Sequence, residues 1–316
     1  MRYIVTGGAG FIGSEIARQL AADNHQVIIV DNLNDLLYSK KIKNHRIKTL
    51  NQQYGIVHIN LNLATKSLTK ILNADDVIIH CAALPGQALS WRYFNEYNQC
   101  NVIATKNLLD AAIEKSIRKF IFASTSSVYG SIVTSDKKRP MIPISPYGVT
   151  KLAAENLIKC YSQNFSLDYS ILRYFSVYGP GQRSDMAIQI FLTKILANQP
   201  IKIMGDGSKS RDFTFVKDCA AVTIRASNVE LKNLETDVSG SKTYTVNQVV
   251  EICFEVTQRR VPVHYLANRI GDQVTTTASQ IDNRLGVKET YLKNLRDGIY
   301  EQWQYLQENR HILIDD

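Results

Sequence analysis

The chain has 316 residues, 45% of them hydrophobic, and carries 37 Lys and Arg against 29 Asp and Glu, a formal charge of +8. That composition buries a full core, which excludes intrinsic disorder, and the length suits one large domain or two intimate ones. No apolar run approaches the roughly 18 residues of a spanning helix, and mean hydropathy is −0.16, so no membrane partner is expected.

Short β-branched and aromatic runs alternate with longer helical patterns from the start. Strands are expected at Tyr3 to Thr6, Val27 to Asp31, Ile56 to Asn60, Val77 to Cys81, Phe120 to Ser124 and Tyr169 to Arg173, separated by enough chain for crossover helices. This is the pattern of an α/β fold, a Rossmann-type doubly wound parallel sheet. No charged and then apolar leader precedes the first strand, so a cytoplasmic protein is expected. Between Tyr93 and Lys115 a helix places Phe94, Tyr97, Val102, Ala104, Leu108, Leu109, Ala112 and Ile113 on more apolar surface than one sheet face requires, which a dimer interface would explain. Beyond Arg173, loops from Gly179-Pro180-Gly181 to Gly205-Asp206-Gly207 read as substrate-binding insertions. The chain is then expected to return to the sheet with Thr214 to Val216, a helix from Lys217 and a last strand near Glu235 to Ser239, before a small helical end. Residues 1–175 with about 213–240 are thus expected to form a dinucleotide-binding domain, and 176–212 with 241–316 a smaller C-terminal substrate-binding domain.

Five widely spaced cysteines without a CxxC pair suggest free thiols, and six histidines without HxxxH or HExxH spacing suggest no metal. The basic excess gathers in Lys40, Lys41, Lys43, His45, Arg46 and Lys48 and in Lys137, Lys138 and Arg139. A solvated helix and a solvated loop account for these. Nucleic acid is not an expected partner, because no basic face interleaved with stacking aromatics appears. A phosphorylated substrate would need only two or three of these cations.

Thr6-Gly7-Gly8-Ala9-Gly10-Phe11-Ile12-Gly13 follows the first strand and opens a helix. Glycines at 7, 10 and 13 give a tight turn, close backbone approach to a pyrophosphate and a helix N-terminus aimed at it. Asp31 ends the second strand 18 residues after Gly13, near the spacing of about 20 expected for a ribose-binding acid. A carboxylate there accepts from a 2′-hydroxyl and repels a 2′-phosphate, favouring NAD over NADP. Tyr147 and Lys151 stand four apart on one face of a helix opening after Ser145-Pro146. An ammonium beside a phenol favours the phenolate, a general base near neutral pH. Ser124-Thr125-Ser126-Ser127 puts hydroxyls at the end of the fifth strand, where parallel sheets hold their ligands.

In order along the chain, TGGAGFIGS, DNL, HCAAL, STSSVYG, YGVTK, RYFSVYGPGQR and RDFTFVKD resemble the extended short-chain dehydrogenase/reductase family, in particular its nucleotide-sugar epimerases and dehydratases. The resemblance implies a catalytic Thr125, Tyr147 and Lys151, with a tightly bound NAD that is regenerated. Tyr147 would take a proton from a sugar hydroxyl, Thr125 would hydrogen-bond that oxygen, and Lys151 would hold the nicotinamide ribose and lower the phenol pKa. It extends the cofactor site of Gly7, Gly10, Gly13 and Asp31 to Phe11, Ile12, Asn32, Ala82, Ala83, Asn101, Ser124 and Tyr174, and sets Asn60 and Leu61 beside the adenine. To a UDP-sugar substrate it assigns Pro85, Ser126, Ser127, Ser176, Arg183, Arg211, Arg269 and Asp272. It also implies a homodimer through a four-helix bundle.

Ser126-Ser127 stands where sugar 4,6-dehydratases carry an acid pair and UDP-glucuronate decarboxylases a Ser-Glu, and serine does neither job. That leaves 4-epimerisation, which needs no second acid. The runs Asp31-Asn32-Leu33-Asn34-Asp35 and Gly179-Pro180-Gly181-Gln182-Arg183-Ser184-Asp185-Met186 look most like UDP-glucuronate 4-epimerases, and serine hydroxyls with one arginine suit a carboxylate. Ala88 and Ser176 depart from that pattern. UDP-glucose or UDP-N-acetylglucosamine 4-epimerisation, UDP-glucuronate decarboxylation and a silent NAD-binding sensor remain the alternatives.

Overall fold

A computed structural model describes residues 1–134, 136, 139–228, 232–240, 242–267, 273–288 and 292–313, with the Asn228 side chain left out. The main sheet has seven strands: β1 (Arg2–Thr6), β2 (Gln26–Val30), β3 (Val57–Ile59), β4 (Val77–His80), β5 (Lys119–Thr125), β6 (Tyr169–Tyr174) and β7 (Leu234–Val238). Their spatial order is β3-β2-β1-β4-β5-β6-β7, all parallel. The order reverses between β1 and β4, and in such sheets the crevice beyond the strand C-termini at that point takes the ligand.

Strands covered on both faces are continuously apolar rather than alternating, and β4 and β6 are buried at every residue. Successive side chains still divide between faces. Tyr3, Val5, Val77 and Ile79 pack with Ile16 and Leu20 of the helix Phe11–Ala22 and with Cys219 and Val222 of the helix Val216–Asn228. Ile4, Ile78, Phe120 and Phe122 pack with Leu108 and Leu109 of the helix Ala104–Glu114 and with Ala154 and Ile158 of the helix Pro146–Phe165.

The segment expected as one helix from Tyr93 to Lys115 is Phe94–Asn98, a π-helical turn at Gln99–Ile103 and then Ala104–Glu114. Leu108, Leu109 and Ala112 go into the chain's own core, whereas Phe94 is exposed. Thr214–Phe215 does not return to the main sheet: it pairs in parallel with Val177–Tyr178. Thr214 Oγ1 donates to the carbonyls of Phe175 and Val238, so this strand caps the ends of β6 and β7 instead of adding to an edge. A third core gathers Ile188, Phe191 and Leu192 with Val250 and Phe254 of the helix Val246–Thr257 and Ile299 and Trp303 of the helix Leu295–Glu308. No described helix is long and apolar enough to cross a membrane.

Candidate active site

A cavity of about 510 Å³ opens at the C-terminal ends of β1, β4 and β5. Gly7, Gly10, Phe11, Ile12 and Gly13 line it, and their backbone explains the glycines. Gly7 sits at φ +67°, and a Cβ there would lie 2.6 Å from the Ala82 amide nitrogen. A Cβ on Gly13 would meet the Gly7 carbonyl at 2.4 Å. The helix Phe11–Ala22 begins at Gly10 without a side-chain cap, leaving first-turn N–H groups available to an anion. Asp31 lines the same cavity beyond the turn, its Oδ2 accepting from Ala9 N at 3.2 Å and its Oδ1 from Leu33 N at 2.8 Å. Glycines with no room for a Cβ, an uncapped helix start and a carboxylate on one wall fit a dinucleotide whose pyrophosphate crosses the turn and whose ribose meets Asp31.

Asn32, Leu61, Ala82, Ala83, Ser124 and Tyr174 also line the cavity. Asn60 is exposed and off the lining, where Asn62 stands instead. Asn101 lies beneath the wall, 1% exposed, its Oδ1 accepting from Leu84 N at 2.8 Å and its Nδ2 donating to Thr150 Oγ1 at 3.0 Å. The Ser124 hydroxyl donates to buried Glu155, which holds Arg173 bidentately.

The helix Pro146–Phe165 starts where a proline at its first position and Ser145 as N-cap require, Ser145 Oγ accepting from Gly148 N at 3.2 Å. Its buried stripe, Tyr147, Thr150, Lys151, Ala154, Glu155 and Ile158, brings Tyr147 and Lys151 into the cavity together. Gly148 lets the helix lie against the turn after β5, since a Cβ there would be 2.5 Å from the Ser127 carbonyl. Thr125 Oγ1 accepts from Ser127 N at 3.2 Å. Burial raises the Tyr147 pKa, and the neighbouring Thr125 hydroxyl and the charge of Arg183 pull it back. In this structure the cation acting on the phenol is thus Arg183. Lys151 acts on His80, Cys81 and Cys100 instead, its Nζ lying 3.9 Å from the centre of the Phe122 ring. Burial brings Lys151 down to about 8.

Arg183 lines the cavity, and Asp185 clamps its guanidinium with Nε and Nη2 bonds of 2.8 and 2.9 Å. Pro85 is also on the wall. Thr125, Ser126 and Ser127 lie just behind it, each no more than 8% exposed, with Ser127 Oγ accepting from Gln87 Nε2 at 3.2 Å. Ser176 and Arg211 are off the lining, and Arg211 donates to the backbone carbonyls of Ser210, Gln273 and Val274. Arg269 and Asp272 lie outside the described residues.

Two residues expected on a solvated helix turn inward. On the helix Lys40–Tyr54, Ile42, Lys43, Arg46 and Leu50 form the buried face. Lys43 lines the cavity 3.5 Å from Asp31. Arg46 donates to the Ala9 carbonyl at 3.2 Å and to the Gly181 carbonyl at 2.6 Å, joining the glycine turn to the loop that carries Arg183. Their three-residue spacing alongside Ile42 and Leu50 was the available signal.

Residues 3–235 match the family described as the NAD dependent epimerase/dehydratase family. The chain belongs to that family. This epimerase/dehydratase is 37% identical over 311 residues to a Bacillus subtilis protein named as an uncharacterized UDP-glucose epimerase, YtcB, covering 97% of this chain and 98% of that one. It is 34% identical over 284 residues to the UDP-glucuronate 4-epimerase of Thermodesulfobacterium geofontis, 87% of each chain. The crystal structure of UDP-glucuronic acid 4-epimerase from Bacillus cereus, in complex with UDP-glucuronic acid and NAD, superposes with a TM-score of 0.91 at 31% identity, over 98% of this chain and 99% of that one. Among the described residues of this family member, no three His, Cys, Asp or Glu side chains gather as a metal site.

Proposed function

We propose that this protein is an NAD-dependent UDP-sugar 4-epimerase whose substrate is UDP-glucuronate and whose product is UDP-galacturonate. The observation that carries the reading is the shared wall of Tyr147, Lys151 and Arg183, a base, a cation for the cofactor and a fork for a carboxylate beside a glycine cradle. The T. geofontis and B. cereus relatives named for that reaction support it.

Tyr147 removes the proton from the 4-hydroxyl, and Thr125, whose hydroxyl favours the ionised phenol, steadies the same oxygen. When bound, NAD supplies the acceptor for the carbon-4 hydride and the donor that returns it. The 4-keto sugar turns its other face before Tyr147 gives the proton back, so atoms and charge balance over the cycle. Among the described residues Lys151 Nζ makes no hydrogen bond, and it lies on the cavity wall, suited to the nicotinamide ribose. Arg183, with the hydroxyls of Ser126 and Ser127, holds the sugar carboxylate in plane, which opposes loss of carbon dioxide from a β-keto acid. Arg211, Arg269, Asp272 and Ser176 are assigned to the UDP side and the sugar.

Separate apolar cores support dividing the chain into an NAD-binding part, 1–175 with about 213–240, and a UDP-sugar-binding part, 176–212 with 241–316. Ile281 and Leu285 cross back to the first core. A homodimer through the outer faces of the helices Ala104–Glu114 and Pro146–Phe165 belongs to this reading, supported by exposed Phe94, Val149 and Phe165. So does a cytoplasmic location, supported by five free thiols. NMR of carbon-4 inversion on UDP-glucuronate, UDP-glucose and their N-acetyl analogues tests the function. Turnover of the neutral sugars alone would reject the uronate.

A further inference from the structure

His80, the histidine of the HCAAL run, lies at the end of β4 with no exposed surface. Its Nδ1 is 2.6 Å from Thr6 Oγ1 and its Nε2 is 2.9 Å from Thr105 Oγ1. The partners fix the direction of each bond. Thr105 spends its single proton on the Asn101 carbonyl, 2.7 Å away, so it must accept from His80, and the ring proton sits on Nε2. Burial and the Lys151 charge bring His80 down to about 3, so Nδ1 is bare and accepts the Thr6 proton. Thr6 in turn accepts from Ala82 N at 3.3 Å.

The path then passes through the covalent frame of Asn101, from its carbonyl to its side chain. The Asn101 side chain donates to Thr150 Oγ1, and Thr150 donates to the Tyr147 carbonyl at 2.8 Å. One end is therefore the backbone of the cofactor cradle, where Thr6 precedes Gly7 and Ala82 fills the space beside it. The other end is the backbone of the residue bearing the general base. Thr6, His80, Thr105, Asn101 and Thr150 are each at most 2% exposed, so bulk solvent does not reach the path. Phe120 and Phe122 flank the imidazole at 5.9 and 5.6 Å. A third apolar ring would meet the packing, and only the two hydrogen bonds require a histidine.

We infer that neutral His80 is a positioning residue that sets the distance between the dinucleotide cradle and Tyr147, through a one-directional chain of buried hydrogen bonds running from the Ala82 amide to the Tyr147 carbonyl. The inference rests on the family's use of NAD and not on the identity of the sugar. Misplacing a reacting group by about 1 Å costs on the order of 100-fold in rate, so small shifts suffice.

Three variants of the full-length protein test it, assayed with whichever UDP-hexose or UDP-glucuronate the parent turns over. His80→Phe keeps the ring and removes both bonds; it should lower kcat by about 10- to 100-fold with little change in KM and retain less NAD through gel filtration. His80→Gln, which offers one acceptor and one donor, should recover part of both. Thr105→Val breaks the chain only on the catalytic side and should lower kcat while NAD retention stays at the parent's level. Parental kcat and NAD retention in His80→Phe overturn the inference, as does a loss that merely follows the unfolded fraction by circular dichroism. If His80→Phe does not fold, Thr105→Val decides, and a parental kcat there overturns it. The NAD readout stands even if no uronate is turned over.

Discussion

Replacing Arg183 with alanine separates two things that this guanidinium does. It lines the cavity with its side chain only 13% exposed and lies close enough to Tyr147 to lower the phenol pKa. In Arg183→Ala the phenol pKa rises, so every substrate should lose some rate and the pH–rate profile should move to the alkaline side. A uronate loses more. A carboxylate left in the pocket without its cation costs about 2–4 kcal/mol, which is about 30- to 1,000-fold in kcat/KM at 1.36 kcal/mol per decade. Asp185 already occupies the fork with bonds of 2.8 and 2.9 Å, so an incoming carboxylate has to share or displace it. Asp185→Ala should therefore lower KM for UDP-glucuronate and leave that for UDP-glucose little changed. The assay is kcat/KM on UDP-glucuronate and UDP-glucose side by side. Equal losses in Arg183→Ala would refute the carboxylate assignment; with the alkaline shift they would leave this arginine acting on the phenol alone, and without it they would move it to the diphosphate, which both substrates carry.

Tyr147→Phe should abolish turnover while NAD stays bound, because the phenolic proton is lost from an otherwise isosteric site; a variant that still turns over removes Tyr147 as the base. Asp31→Ala should weaken NAD binding by about 1.5–3 kcal/mol, the worth of a charge-assisted hydrogen bond, and an unchanged dissociation constant in calorimetry would exclude Asp31 as the ribose ligand. Lys151→Met should stabilise the NAD-free protein while destroying activity. Burial lowers Lys151 from 10.5 to about 8, so folding disfavours its charge by up to about 3 kcal/mol below pH 8. That cost fades as pH rises from about 8 towards 10.5, where the unfolded chain also releases its proton. The variant's advantage in melting temperature should be greatest near pH 7 and shrink above pH 8; no advantage at pH 7 would show that the Phe122 ring, 3.9 Å away, offsets the burial.

The strands were legible because parallel strands covered on both faces leave β-branched runs between helical stretches, and β1 and β4 need little else. The glycine turn and the Tyr147–Lys151 pair were legible for a different reason: each is a local arrangement whose geometry follows from spacing alone. What stayed hidden depends on chain paths that spacing does not encode. Lys43 and Arg46 lie in a helix of low apolar content, so their inward face shows only once Asp31 and Gly181 are beside it. The pairing of Thr214–Phe215 with Val177–Tyr178 needs the end of β6 in place first. The π-helical turn at Gln99–Ile103 breaks no hydrophobic period strongly enough to be seen, yet it is where Asn101 turns to meet Leu84 and Thr150.

Arg46 holds the Ala9 and Gly181 carbonyls with one guanidinium, a physical link between the glycine turn and the loop that carries Arg183. If ligands on the two loops affect each other through this bridge, each changes the other's affinity by the same factor. Were the sugar nucleotide of the proposed function to seat under the Gly181 loop, any effect of it on dinucleotide affinity carried by this bridge would be matched by an equal effect of the dinucleotide on affinity for the sugar nucleotide. Arg183→Ala tests the sugar side of the site, and Arg46→Ala, which removes both bonds, tests the bridge: dinucleotide affinity that no longer responds to the sugar nucleotide in Arg46→Ala would show that the guanidinium carries the coupling.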